Sequence, residues 1–224
     1  MHLVLRPSKS FLYQSLKKEL PRANGLFGLD IGSADFKNRA MFHTENYYGL
    51  DIDLLPLRNG LQKYPAATKT FGILADMTKL DDLPSGSVDL VVCTNTLQSH
   101  LLDFNKRKIA LEHLCRLPRP GGQLVIELAI DKYFAESLKI INEYFYQVKI
   151  KYYGNWLSRK YEDFIENKLK INPRFATNSR ILLLLSLLIS KFEYLTVCFK
   201  KGNSHALIHC GHKKSLDLSL INQI

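Results

Sequence analysis

The sequence predicts an α/β fold, a doubly wound and mostly parallel sheet of seven strands with an antiparallel hairpin at its C-terminal edge. Three observations support this prediction. Five short runs are almost entirely apolar, as strands buried on both faces must be. Helix-patterned segments separate most of these runs, and parallel strands need such crossovers. The length of 224 residues suits one domain of ordinary α/β size.

The apolar runs mark the strands of the first half of the chain. They lie at residues 26–31, 47–52, 70–74, 88–93 and 123–128. The first run ends in a Gly-containing turn, and the last follows a Pro-Gly-Gly turn, so both are bounded by residues that favour turns. Helical periodicity predicts the intervening helices at 36–42, 55–64 and 105–116, and a further helix at 8–20.

The pattern changes after residue 130, where strands and helices stop alternating regularly. The predicted elements there are a helix at 132–144, a half-exposed edge strand at 148–153, a helical stretch at 158–191, and strands at 194–199 and 206–210 that form a hairpin. The predicted organisation is a helical cap (1–22) followed by one domain (23–224), with a ligand-binding core at 24–130 and a helical lid or insertion at 150–195.

Composition and charge limit the function classes. With 46% hydrophobic residues and 23% charged residues the chain is globular, which excludes disordered and fibrous proteins. The net charge is +10, and residues 131–224 carry 15 basic and 8 acidic residues, so +7 lies in the second half. This excess indicates either an anionic partner (nucleic acid, phospholipid or a phosphorylated substrate) or a solubilising surface. Four scattered cysteines and no recognisable signal peptide predict a cytoplasmic protein.

Acidic residues follow three of the predicted strands. Asp30 and Gly32 follow the first strand, Asp51 ends the second, and Asp76 follows the third with Met77 beside it. In an open parallel sheet, ligands bind at the carboxyl ends of the strands. An acid about 20 residues beyond the glycine turn can accept the hydroxyls of a ribose. An acid after the third strand can accept a hydrogen bond from an adenine amino group.

These segments resemble the class I S-adenosylmethionine-dependent methyltransferases, a Rossmann-like family. The resemblance covers residues 24–130 and rests on GLDIGSADF, YYGLDID, ILADMTKL, LPSGSVDLVVCTNTL and LPRPGGQLVIEL. It implies S-adenosylmethionine as cofactor. The cofactor contacts that it implies are Asp30, Gly32 and Ser33 in the first motif, Asp51 and Ile52 after the second strand, Asp76 and Met77 after the third, and Thr94 and Asn95 after the fourth. The sequence departs from the family pattern at Ala34 and Phe36, where glycines are usual.

Methyl transfer to oxygen benefits from a general base, because the proton of the hydroxyl must leave. His100, shortly after the fourth strand, is the predicted base, with Asp103 as a lesser candidate. No metal site is predicted. On a strand His205 and His209 would lie on the face opposite to Cys210 and His212, so the four cannot converge on one ion.

The predicted function is S-adenosylmethionine-dependent methylation, at oxygen, of a small-molecule or lipid-linked acceptor. Two alternatives stay open. One is an RNA methyltransferase that uses the basic second half, although nucleic acid is the less favoured partner. The other is a catalytically silent partner or scaffold protein, motivated by Ala34 and Phe36. Residues 158–195, basic and then very apolar, predict a buried lid or a segment that docks on an anionic membrane surface, which would place the protein at the membrane periphery.

Overall fold

The computed structural model describes residues 5–20, 25–65, 68–98, 100–171 and 179–214. Within them a single sheet has the strand order β3-β2-β1-β4-β5-β7-β6. The strands are β1 Phe27–Ile31, β2 Asn46–Asp51, β3 Thr70–Leu74, β4 Val88–Cys93, β5 Pro118–Ala129, β6 Phe145–Tyr153 and β7 His205–Lys213. The first five pair in parallel, and β7 is antiparallel to both β5 and β6. The predicted doubly wound sheet with an antiparallel C-terminal edge is confirmed.

Six α-helices lie within the described residues. They are α1 Pro7–Glu19, α2 Leu54–Lys63, α3 Phe104–Arg116, α4 Phe134–Tyr144, α5 Trp156–Asp163 and α6 Arg180–Thr196. A one-turn π-helix, Phe164–Lys168, continues α5. No helix in this part of the chain is both long enough and apolar enough to cross a membrane.

The central strands separate two apolar clusters, as alternation along a strand requires. Cys93, Ile126 and Ile208 face one side, where they pack with residues of α3 and α4. Val125 and Leu207 face the other side, which α1 covers. The sheet is therefore buried on both faces at its centre, as the apolar runs in the sequence predict.

The helix predicted at 36–42 is wrong. The structure has turns there, followed by a short 3₁₀ helix, Arg39–Met41. Ala34 and Phe36 adopt positive φ angles of 47° and 61°, which a right-handed helix cannot accommodate. Phe36 is completely buried among glycine backbones, so packing rather than helical periodicity decides the conformation of this segment.

The hairpin predicted between 194–199 and 206–210 is also wrong. Helix α6 continues through Thr196, because its apolar residues keep helical spacing to that point. The antiparallel partners of β7 are β5 and β6 instead. Helices α5 and α6 are thus inserted between two strands that pair with each other.

Candidate functional site

Ends of all seven strands lie along one boundary of the sheet, the one to which the carboxyl ends of the parallel strands point. This boundary, distinct from the edge strands β3 and β6, is the edge that holds the candidate site. The carboxyl ends of β1 to β5 lie there because these strands are parallel. Since β7 is antiparallel to both neighbours, its first residue, His205, pairs with Ala129 at the end of β5 and with Tyr153 at the end of β6. Every segment that the sequence predicts to hold a ligand therefore opens onto the same edge.

The loop after β1 is held tightly to β2. Gly32 has a φ of +70°, and the amides of Gly32 and Ser33 both donate to the carbonyl oxygen of Leu50, at 2.8 and 3.0 Å. A Cβ on Gly32 would come within 2.0 Å of the Thr96 methyl carbon. The missing side chain thus leaves room for the loop after β4.

Asp51 joins the ends of β1 and β2. Its Oδ2 accepts a hydrogen bond from the Ala34 amide at 2.8 Å, and its Oδ1 accepts one from the Asp53 amide at 3.0 Å. The carboxylate stays half-buried, so part of it faces the edge of the sheet. Ile52 follows it with 71% of its surface exposed.

Asp76 follows β3 and is the acid of the third predicted binding segment. Its Oδ1 accepts bonds from the backbone amide and the hydroxyl of Thr78, at 2.9 and 2.8 Å. The backbone bond is the main cause that holds the pKa of this carboxyl below its usual range, so Asp76 is ionised at neutral pH. Met77 beside it packs against the core cluster on the α3 side.

Asp30 lies in the protein interior. It is fully buried, and its oxygens accept bonds from the Tyr47 hydroxyl at 2.8 Å and from the Asn38 amide group at 3.2 Å. Burial raises the pKa of Asp30 to about 7. Its side chain orders the polar interior beneath the first motif.

Sequence reasoning missed a second group of polar residues, on the side of β4 away from β2. Glu127 on β5 is buried, and its Oε2 accepts a bond from the Asn95 amide at 2.6 Å. Its Oε1 accepts a hydrogen bond from the Tyr153 hydroxyl, and the Lys9 ammonium from α1 lies 3.9 Å from the same oxygen. The signal that could have identified this group is the single acid in the apolar run QLVIEL.

His205 lies beside this group. Its ring stacks on Tyr153 with centroids 5.4 Å apart, and its Nδ1 is 2.8 Å from the Ser204 hydroxyl. Burial lowers the pKa of His205, so the imidazole is neutral at pH 7 and can accept a proton. Burial, together with the charge of Glu127, raises the pKa of Tyr153, which stays a donor.

His100 and Asp103, the two bases predicted from sequence, lie in the segment between β4 and α3. His100 is exposed. Asp103 caps α3, because its carboxylate accepts a bond from the Lys106 amide at 2.9 Å. The role of His100 stays a prediction, whereas Asp103 has a structural role.

Three of the six buried side-chain polar atoms that have no hydrogen-bond partner within the described residues lie at this edge. Ser33 Oγ, Asp35 Oδ1 and Asn95 Oδ1 are buried, and none bonds within the described residues. All three belong to the loops after β1 and β4. Because an unpaired buried polar atom costs about 1–3 kcal/mol, atoms of this kind usually mark a place where a ligand or water binds. These residues fit a nucleoside carrying an amino-acid group.

Comparisons with known proteins agree with this geometry. Residues 29–126 match the family model of the methyltransferase domain. No curated protein sequence matches the chain significantly. Among solved structures, the N-methyltransferase NodS from Bradyrhizobium japonicum WM9 is 14% identical, with a TM-score of 0.59 over 93% of this chain and 98% of its own.

Two further solved structures share the fold. The Haemonchus contortus phosphoethanolamine N-methyltransferase 2, in complex with S-adenosyl-L-methionine, is 15% identical, with a TM-score of 0.55 over 91% of this chain and 52% of its own. The Haloferax volcanii putative methyltransferase in complex with the Trm112 activator is 14% identical, with a TM-score of 0.57 over 93% of this chain and 91% of its own. At these identities the likeness establishes the fold.

Proposed function

Because the chain belongs to the class I S-adenosylmethionine-dependent methyltransferases, we propose that it methylates an oxygen atom of a small-molecule or lipid-linked acceptor. The observation that carries this proposal is the Asp51 carboxylate, bonded to the loop after β1 at the edge where the strand ends meet. The unpaired buried atoms of Ser33 and Asn95 support it, because they flank the same edge.

The cofactor side of the edge is formed by the loops after β1, β2 and β3. There Asp51 would accept the ribose hydroxyls, and Ile52 and Met77 would cover the adenine ring. Asp76, ionised at neutral pH, would accept the adenine amino group. Ser33, together with Thr94 and Asn95 from the loop after β4, would hold the methionine part.

The acceptor side of the edge is formed by Asn95, Glu127, Tyr153, Lys9 and His205. S-adenosylmethionine supplies an electrophilic methyl carbon, so the protein has to align the acceptor, exclude water and remove a proton. Tyr153 stays protonated and binds Glu127, which fixes both side chains. This rigid group would position the acceptor hydroxyl.

His205 is the best-placed general base on the acceptor side. It is neutral at pH 7 because burial lowers its pKa, and its stacking on Tyr153 fixes the ring. The proton of the acceptor hydroxyl would pass to this imidazole as the methyl group is transferred. The sequence-based candidate, His100, is exposed in the segment between β4 and α3, and a His100→Ala variant provides the comparison.

Calorimetry with S-adenosylhomocysteine followed by a labelling screen tests the proposal. We expect binding of the ligand, and transfer of the tritiated methyl group from S-adenosylmethionine to low-mass or solvent-extractable compounds of a cell extract. Label that appears in RNA and is lost on ribonuclease treatment would instead support the nucleic-acid alternative. Absence of ligand binding at millimolar concentration would support the silent partner protein.

Once the acceptor is known, the base can be assigned from two variants. We expect His205→Gln to lower kcat by about 10²-fold or more, as loss of a general base does, with little change in cofactor affinity. His100→Ala should retain activity. The reverse result would return the role of base to His100.

A further inference from the structure

Helix α6 reverses the usual amphipathic pattern, because polar side chains face the protein and apolar side chains face outward. Its buried side chains, Ser186, Ser190 and Glu193, are polar. Its outward side chains are large and apolar, and they recur at helical spacing with exposed fractions between 42% and 72%. These residues, the α6 stripe, are Ile181, Leu184, Leu185, Leu188, Phe192 and Leu195. A helix that packs only on its own domain shows the opposite polarity.

Hydrogen bonds on the inner face fix this orientation. The Glu193 carboxylate accepts bonds from the amides of Gly154 and Asn155, at 3.0 and 3.3 Å, and from the Ser158 hydroxyl. Turning the helix to bury the stripe would break these bonds and leave a buried carboxylate unpaired, which is costly. The hydrogen bonds of Glu193 therefore keep the α6 stripe facing outward.

The exposed charges in the stretch of chain that contains the α6 stripe are positive. Between residues 179 and 201 the exposed charged residues are Arg180, Lys191, Lys200 and Lys201. The single acid in this stretch is Glu193, which is buried on the inner face. An occupant of the stripe must therefore combine an apolar interior with a negative surface.

We propose that the α6 stripe docks in the interface of an anionic lipid bilayer. Anionic headgroups would bind the flanking basic residues, while the apolar side chains enter the acyl boundary. The helix has 17 residues and is roughly 25 Å long at 1.5 Å per residue. Because its exposed apolar side chains run along one face, it would lie in the plane of the membrane.

A second copy of the chain is a poorer occupant. If two α6 helices packed antiparallel, Arg180 of each copy would approach Lys200 and Lys201 of the other. If they packed in parallel, the two Lys191 residues would lie side by side. Because the exposed charges of this stretch are all positive, both arrangements bring like charges together at an apolar contact.

Docking at this helix would bring the acceptor side of the edge close to the membrane. The amides that bind Glu193 belong to Gly154 and Asn155, which directly follow Tyr153. The docking proposal does not depend on methyltransferase activity, since membrane binding is measured without cofactor or acceptor. Failure of one proposal therefore leaves the other standing.

Co-sedimentation with vesicles tests the docking. We expect the protein to bind vesicles of phosphatidylcholine with phosphatidylserine at low salt, and to bind vesicles of phosphatidylcholine alone more weakly. The double variant Leu184→Gln/Leu188→Gln should lower the partition coefficient by about ten-fold or more. Ile109→Gln, at an exposed apolar position on α3, is the matched control and should leave it unchanged.

A charge variant tests the electrostatic part separately. Lys191→Gln/Lys201→Gln should reduce binding to anionic vesicles by about five-fold per residue, and added salt should do the same to the unaltered protein. Lys139→Gln, on the exposed face of α4, is its control. Circular dichroism confirms that each variant is folded before its binding is compared.

A fluorophore on Cys198 reports whether the C-terminal end of α6 enters the membrane. Cys198 is exposed, whereas Cys93, Cys115 and Cys210 are buried, so a polarity-sensitive fluorophore can be attached to it selectively. It lies three residues beyond Leu195, and we expect its emission to shift to the blue with anionic vesicles. No binding to these vesicles, or binding unaffected by the stripe variant, would overturn the proposal. So would a lipid-independent dimer that the stripe variant dissociates.

Discussion

The two sides of the sheet edge are assembled in different ways. On the cofactor side, Ala34 and Asp51 bond across 17 residues, and short loops bring the groups together. On the acceptor side, Glu127 meets Tyr153 and Lys9, which come from the far edge strand and from the N-terminal helix. The first side is encoded in contiguous motifs, and the second exists only once the sheet is complete.

The two sides also bury ionisable groups with opposite consequences. Burial raises the pKa of Asp30 on the cofactor side to about 7, and it lowers the pKa of His205 on the acceptor side. Both shifts favour the neutral form. The interior of the cofactor side should therefore become less stable as pH rises, and that of the acceptor side as pH falls.

The largest expected effect comes from removing the titration of Asp30. The folded protein holds this proton up to about pH 7, while the unfolded chain releases it near pH 3.8, so the group destabilises the fold as pH rises. The loss is about 1.4 kcal/mol per pH unit between those values, or roughly 3 kcal/mol from pH 5 to pH 8. Asp30→Asn should abolish this decline, measured as the free energy of unfolding in urea at both pH values.

Comparison with a variant of the partner identifies the cause. Tyr47→Phe removes the hydroxyl that donates a hydrogen bond to Asp30 but keeps the Asp30 carboxyl. The decline of the free energy of unfolding with rising pH should therefore persist or steepen. If Asp30→Asn and the unaltered protein lost stability equally between pH 5 and pH 8, Asp30 would not be the titrating group.

The next largest effect concerns the affinity for S-adenosylhomocysteine, which should depend on the cofactor side of the edge. Asp51→Ala removes the carboxylate proposed to hold the ribose, and hydrogen bonds to a charged group contribute about 1.5–3 kcal/mol, so affinity for S-adenosylhomocysteine should fall about 10- to 100-fold. Asp53→Ala removes a carboxylate two residues away that only caps α2 by accepting from Leu55. Its affinity should be unchanged in the same calorimetric titration. Equal losses in both variants would contradict the assignment.

A smaller effect of opposite sign is expected on the acceptor side. Since burial lowers the pKa of His205, the unfolded chain binds the proton more tightly, and this group destabilises the fold as pH falls below 6.5. His205→Gln should remove that part of the acid sensitivity and leave unchanged the decline toward pH 7 that Asp30 causes. Urea unfolding from pH 5 to pH 8 measures both trends, and a decline with rising pH that His205→Gln removes would reverse the assignment.

The cofactor side could be predicted from sequence because its residues directly follow apolar runs. A run such as LFGLDI specifies a buried strand, and the polar residue after it must then lie at the edge of the sheet. The segment after Gly32 could not be predicted in the same way. Phe36 is spaced like a helical core residue, but it takes a positive φ so that its ring can pack against Gly49 and Gly60.

The acceptor side and α6 could not be predicted, since their contacts depend on which distant elements become neighbours. Tyr153 ends an edge strand in the sequence and in the structure, but its contact with Glu127 forms only because β7 inserts between β5 and β6. For helix α6 the sequence leaves two interpretations open, a buried lid and a membrane-docking segment, because periodicity gives the width of its apolar face but not its direction. The buried Glu193 sets that direction, through amides that follow β6.

The smallest effect tests whether the loop after β1 is strained at Ala34. Ala34 has a φ of 47°, and this conformation costs a non-glycine residue about 1 kcal/mol, so Ala34→Gly should stabilise the protein by up to about 1 kcal/mol despite the greater freedom of glycine in the unfolded chain. Ala40 lies nearby in the right-handed 3₁₀ helix, where Ala40→Gly should destabilise by about 0.5–1 kcal/mol. The two substitutions are chemically identical, so opposite shifts of the urea midpoint would isolate the backbone conformation as the cause. A loss of stability in both would mean that residue 34 is unstrained, and the departure from glycine at this position would then carry no cost.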